Sequence, residues 1–235
     1  LNASGCVVDT TLLDHFMEFD SKTGVLTCEA GVSFDQILQT FVPKGWFLPV
    51  TPGTKFVTVG GAIANDVHGK NHHAAGTFGC HVIELELLRS DGERLACNAE
   101  NNCELFAATI GGLGFTGVIT LRRFRMLPIH SSYIDSEELR FENLEEFFSI
   151  NKESAATYDY TVAWIDCQAQ GDRLGRGIYY RGRHAKEPVV LQPHQPGKLK
   201  VPFDLPSLTL NPFVLKAFNE LYYRKCQPGK HRVGY

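Results

Sequence analysis

The chain has 235 residues, of which 43% are hydrophobic, 21% charged and 11% aromatic. Those proportions belong to a globular protein with a sizeable core and exclude a disordered, collagenous or coiled-coil chain. A formal charge of -3 sets up no basic field, so nucleic acid is not an expected partner. Seven cysteines, an odd number with no C-x-x-C pair, fit reduced thiols in a cytoplasmic setting better than a disulfide framework. The start, Leu1 to Gly5, has neither the basic residues nor the apolar stretch of a signal peptide. The longest uncharged run, Leu105 to Leu121, is short for a membrane span and broken by four glycines, so no transmembrane segment is expected. A chain that begins without Met is expected to be a fragment of a longer protein.

Along the chain, Val25 to Ala30 reads as a strand closed by Gly31. Ser33 with Gln36 three residues on is a capping box, and Phe34, Ile37, Leu38 and Phe41 follow at helical spacing until Pro43 and Gly45 stop the helix. Ile83 to Arg89 and Arg94 to Asn98 flank Asp91-Gly92, a hairpin signal. Asn101 or Asn102 can cap a short helix through Thr109, and Val118 to Leu127 reads as a strand. Further on, Leu144 to Ile150 predicts a short helix, while Thr161 to Asp166 and Gly177 to Arg181 predict strands. Asn219 to Lys225 fits either a helix or a strand. Strands and short helices without regular βαβ repetition predict an α+β fold. Half the glycines lie between Gly53 and Gly117, and more than half the prolines between Pro188 and Pro212, where an irregular connector is expected. The composition divides the chain into parts 1–128 and 129–235.

Gly112 to Gly117 matches G-x-G-x-x-G by letter, but a dinucleotide loop follows a strand and opens a helix. Here the order is reversed, and a turn packed on something flat is the better reading. The stretch from Pro52 to His73 has the period of neither helix nor strand, yet it is small and apolar. Such a run lets main-chain N–H groups approach a ligand, either a phosphate or a flat ring system, or else forms a tightly packed turn. His68, His72, His73 and His81 lack the spacing of a metal site, and no metal is expected. His68 and Lys70, two apart, would share a face of extended backbone and put a proton acceptor beside a cation. The bland alternative is a turn histidine next to a solvated lysine. Glu84 with Glu86, and Arg123 with Arg125, read as solvated pairs. Arg224, Lys225, Lys230 and Arg232 make a basic C-terminal stretch that would be solvated or touch phosphate or lipid headgroups.

Taken together, Pro52-Gly53-Thr54, Val57 to Ala64, His68-Gly69 and Gly76 to Gly79 resemble the FAD-binding domain of the vanillyl-alcohol-oxidase flavoproteins, also called PCMH-type. Leu105-Phe106 with Gly111 to Gly114 and Gly117 to Ile119 resembles that domain's later flavin-contacting turn. The block His68 to His73, with Ala163 to Asp166, Leu174 to Arg176, Arg181 to Arg183 and Tyr223 to Lys225, is similar to the decaprenylphosphoryl-ribose 2-oxidase group within that family.

The resemblance implies a PCMH-type FAD-binding domain at 1–128, without its N-terminal pyrophosphate loop, and part of an α+β substrate or cap domain at 129–235. It implies FAD as cofactor, held by Gly53, Thr58, Val59, Gly60, Gly61, Asn65, Asp66, Val67, His68 and Ile119, mostly through backbone. It makes His68 and Lys70 catalytic and puts Lys70, Trp164 and Tyr223 at the substrate. The implied reaction is hydride transfer from a sugar or alcohol carbon to the flavin, on a free or lipid-linked substrate. A separate reductase would take the keto product. The protein would be cytoplasmic, or peripheral at the membrane if the substrate is lipid-linked. Two other readings stand beside it: an aldonolactone or alditol oxidase that uses oxygen, and a flavin-fold binding protein without catalysis.

Overall fold

The computed structural model describes residues 7–188, 191–193 and 211–234. It divides into two compact units, Leu1–Ile129 and His130–Tyr235.

The first unit is built on a five-stranded antiparallel sheet. Its strands are β1 (Phe16–Asp20), β2 (Val25–Glu29), β4 (Val82–Leu88), β5 (Arg94–Asn98) and β6 (Val118–Arg125), in the order β1-β2-β6-β4-β5. A short pair, β3 (Trp46–Phe47) with β7 (Leu127–Pro128), lies apart from it. Helix α1 (Phe34–Phe41) starts at a complete capping box: Ser33 Oγ accepts from Gln36 N, and the Gln36 side chain accepts from Ser33 N. Its Phe34, Ile37 and Phe41 are buried and join Leu26, Cys28, Leu85, Leu87 and Phe124 of the sheet in one core. The β4–β5 hairpin turns where expected, with Leu88 opposite Arg94 and Gly92 at φ 87.

Three expectations change. The stretch read as lacking a helical period contains α2 (Val59–Ala64), a helix too short to display one. Asn102 stands at the start of α4 (Cys103–Thr109) in left-handed conformation and makes no cap; its Nδ2 donates to Ala96 O instead. Glu86 is not merely solvated, because its Oε1 accepts from the Thr120 hydroxyl and from Arg94. Between these elements lies the single turn α3 (His72–Ala75).

The second unit carries a four-stranded antiparallel sheet in the order β11-β8-β10-β9. Its strands are β8 (Tyr133–Phe141), β9 (Tyr160–Ile165), β10 (Gly177–His184) and β11 (Gly229–Gly234). Helix α5 (Leu144–Ala155) begins at Asn143, whose side chain accepts from Glu146 N, and runs longer than its sequence signal. The ambiguous segment at 219–225 is the second half of helix α6 (Pro212–Lys225). Most of the proline-rich connector lies outside the described residues. Mixed helices on antiparallel sheets make the fold α+β.

Candidate functional site

The site grows from the end of β2. Ala30, Gly31 and Val32 leave the sheet, and Val59 N and Gly60 N donate to Val32 O (2.8 Å) and Ala30 O (3.0 Å). Thr58 caps the helix that follows, its Oγ1 accepting from Gly61 N at 3.2 Å. One side of α2, through Val59, Ala62 and Ile63, is buried in the core. A methyl group on Gly60 would stand 3.0 Å from Ala30 Cβ, so close strand–helix packing explains that glycine. Gly61 is different. Its missing Cβ would meet nothing beyond the capping hydroxyl of Thr58, and that of Gly53 would meet nothing at all. Neither glycine has a positive φ, so backbone geometry requires neither, and at Gly61 only the Thr58 hydroxyl, 3.1 Å from the Cβ position, stands in the way of a side chain.

The N–H groups of Val59, Gly60 and Gly61 are all spent inside the protein. The turn therefore offers a ligand a bare surface rather than a nest of amide donors. Of the two ligands left open by the sequence, a phosphate needs those donors and a flat ring does not.

Beyond the helix, Asn65 is exposed and its Nδ2 donates back to Gly61 O at 2.8 Å. Asp66 takes a left-handed conformation, φ 42, and its Oδ1 accepts from Gly79 N at 2.9 Å. Val67 O accepts from Phe78 N, and His68 pairs with Thr77 in an antiparallel bridge. These bonds fix the stretch in which His68 stands exposed. Lys70, also exposed, lies in the turn before α3. The His72 ring sits edge-on to that of His68, with centroids 5.7 Å apart. His72 Nδ1 faces Gly69 O at 3.1 Å, which makes that nitrogen the protonated one, since a carbonyl only accepts. His81 Nε2 likewise faces Ala75 O. Among the described residues no group of three or more His, Cys, Asp or Glu is placed to hold a metal ion. Ile119, the remaining residue expected at the cofactor, is buried in β6.

Trp164 and Tyr223 belong to the second unit. Trp164, on β9, is half-buried, with its ring 4.9 Å from that of Tyr222. Tyr223 is packed inward at 5% exposure, its hydroxyl donating to Glu142 Oε1 and Phe141 O. The Arg176 guanidinium lies over its ring at 4.7 Å. Arg176 in turn donates to Asp166 Oδ2 and to Glu220 Oε2, and Asn219 donates to Asp166 Oδ1. This buried network ties β9 and β10 to α6. Burial opposes ionisation of Asp166, but hydrogen bonds from Arg176, Gln168 N and Asn219 outweigh it and hold the carboxyl below its ordinary value. Sequence reasoning gave Asp166, Arg176 and Glu220 no role. Charges that far apart in the chain carry no local signal of pairing.

The family model of the FAD binding domain matches residues 2–98. Residues 2–98 belong to that FAD-binding family. The cofactor is FAD. Over 99% of its length the chain is 38% identical to decaprenylphosphoryl-beta-D-ribose oxidase of Mycolicibacterium smegmatis, covering 53% of that protein. It is 30% identical over 57% of its length to a putative D-arabinono-1,4-lactone oxidase of Neurospora crassa, covering 25% of it. Over 55% of its length it is 30% identical to human delta(24)-sterol reductase, covering 24% of that protein. The chain thus spans about half the length of the relative it matches from end to end. Among the described residues no helix is long and apolar enough to cross a membrane.

Proposed function

We propose that the protein is an FAD-dependent oxidoreductase that takes a hydride from a CH–OH carbon of a sugar or alcohol and leaves a ketone. The observation that carries the proposal is a pair of glycines inside a segment of the FAD-binding family: Gly53, whose Cβ would meet nothing, and Gly61, whose Cβ would meet only the Thr58 hydroxyl. FAD, when bound, supplies the hydride acceptor. The chain's own residues have three tasks. The Gly61 side of α2, with Thr58, Asn65, Asp66 and Val67, would hold the flat ring of FAD, and Gly53 would add a second open face. His68, held by its bridge to Thr77, takes the proton from the substrate hydroxyl as its carbon gives up the hydride. Lys70 stabilises the negative charge developing on that oxygen.

The likeness to a decaprenylphosphoryl-ribose oxidase supports a pentose substrate, whether free or carried on a lipid phosphate. A lipid-linked substrate would be met at a membrane surface and a free one in the cytoplasm, and a separate reductase would consume the keto product. Anaerobic mixing of the FAD-loaded protein with sugars and polyols tests the reading through bleaching of the flavin absorbance. Bleaching is expected, slowed by about 100-fold in His68→Ala and Lys70→Ala. FAD binding without bleaching by any sugar, polyol or lactone would make the protein a flavin-binding module instead. Rapid reoxidation by oxygen after bleaching by a lactone or alditol would favour the oxygen-using oxidase.

A further inference from the structure

In the second unit, Arg176 is 6% exposed and lines a cavity of about 600 Å³. The cavity lies between the turn from Asp166 to Arg173 and the start of α6, where Phe213, Lys216 and Glu220 complete its wall. Its two carboxylates are already matched. Asp166 Oδ2 accepts from Arg176 Nε and Nη2, at 3.1 and 2.9 Å, and Oδ1 accepts from Asn219 Nδ2 at 2.7 Å. Glu220 Oε2 accepts from Arg176 Nη2 at 2.7 Å, and Oε1 from Arg224 Nε at 2.6 Å. Two carboxylates therefore face two guanidinium groups, and those charges cancel. The other cations of the wall, Arg173 and Lys216, are exposed, and among the described residues neither forms an ion pair. Two positive charges are left over in one cavity. Arg176 Nη1 takes part in none of the bonds above, and its guanidinium is held in place by the rest of them. Helix α6 supplies no free amide at its start. Pro212 has no N–H, Phe213 N and Val214 N donate to Asn211 Oδ1, and Leu215 N donates to Asn211 O.

We propose that this cavity binds a phosphate group, with Arg173 and Lys216 as its counter-charges and Arg176 Nη1 as a further donor. A phosphate monoester carries close to two negative charges at neutral pH, which the two unmatched cations balance. A carboxylate would leave one of them unmatched. The planar fork of Arg173 suits two phosphate oxygens, and the Lys216 ammonium adds a point charge. The cavity is large enough for more than the phosphate itself, and the exposed Phe213 offers an apolar wall to the group that carries it. That carrier is a soluble phosphorylated molecule or a lipid headgroup, which share this chemistry. The site lies outside residues 2–98 and does not rest on the cofactor reading.

Calorimetric titration of inorganic phosphate into the 235-residue chain, in a phosphate-free buffer, tests the site. Saturable binding to one site per chain is expected, weakened about tenfold in Arg173→Gln and in Lys216→Gln and undetectable in the double variant. Both side chains are exposed and outside the Asp166 network, so the melting temperature without phosphate should match the parent's. Sedimentation with phosphatidylcholine vesicles that contain phosphatidic acid separates the two carriers. Co-sedimentation that the double variant loses assigns the phosphate to a lipid headgroup, and its absence in the parent assigns it to a soluble molecule. No saturable phosphate binding by the parent overturns the inference, as does an affinity within about twofold of the parent's in the double variant.

Discussion

Two adjacent glycines at the start of α2 differ in what a side chain would meet: the sheet's Ala30 at Gly60, the capping hydroxyl of Thr58 at Gly61. Gly60 sits where a methyl group would press on Ala30, so Gly60→Ala is expected to destabilise the first unit by about 1–3 kcal/mol, read as a lower melting temperature. A Cβ on Gly61 would meet only the Thr58 side-chain hydroxyl, at 3.1 Å, and alanine is the better helix former by about 1 kcal/mol. Gly61→Ala should therefore leave thermal stability unchanged or raised, while weakening FAD binding by at least about tenfold as the methyl lifts the ring from the backbone. Equal effects of the two substitutions on stability and on binding would contradict this division. The G-G pair was legible in the sequence as a place of close approach. Which of the two glycines packs on the sheet depends on where Ala30 leaves it, and no local pattern records that.

At the level of elements, α1 and α6 are secured in different ways. Helix α1 has a complete capping box, so Ser33→Ala should cost about 1 kcal/mol by loss of the bond to Gln36 N. Helix α6 is tied by charge: Arg176 is 6% exposed and bridges Asp166, 2% exposed, to Glu220. Arg176→Met leaves Asp166 buried without its counter-charge and should destabilise the second unit by about 3–5 kcal/mol. The same bonds set a pH limit. Asp166 has its folded pKa lowered, so its contribution is complete above the unfolded value of about 4 and is lost as pH falls through the folded one. Glu137 behaves likewise: burial opposes its ionisation, but bonds from Arg181 and Tyr158 prevail. Burial also lowers the pKa of His184, whose Nε2 lies 2.8 Å from the Tyr160 hydroxyl. A histidine with a lowered folded pKa contributes stability that is complete above about 6.5 and is lost on acidification. The melting temperature of the second unit should therefore decline below about pH 6.5 and fall again below about pH 4. In Tyr179→Phe, which touches none of these groups, that profile should keep its shape.

For the whole molecule, two compact units predict two cooperative unfolding steps. Scanning calorimetry should resolve two transitions, with Ser33→Ala lowering one and Arg176→Met the other. FAD should raise only the transition that Ser33→Ala lowers, by mass action on the unit that binds it. A single transition shifted by both substitutions would mean that the units unfold together. FAD raising the transition sensitive to Arg176→Met would place cofactor binding in the second unit.

The local elements were determined by the sequence alone, because their signals lie within a few residues of one another. Ser33 and Gln36 announce α1, Asp91-Gly92 announces the β4–β5 hairpin, and the Gly53–Gly79 segment announces the cofactor through its likeness to a known family. Three things were decided only in the tertiary structure. Helix α2 takes its shape from bonds to Val32 and Ala30, which lie in another part of the chain. Segment 219–225 becomes helical because Asn219, Glu220 and Tyr223 find Asp166, Arg176 and Glu142 to bind. Leu113 takes φ 53 in a turn whose N–H groups, from Gly111 and Leu113, reach back to Ile63 and Ala64. In each case the deciding partner is distant in sequence, and its bond exists only once the chain has folded.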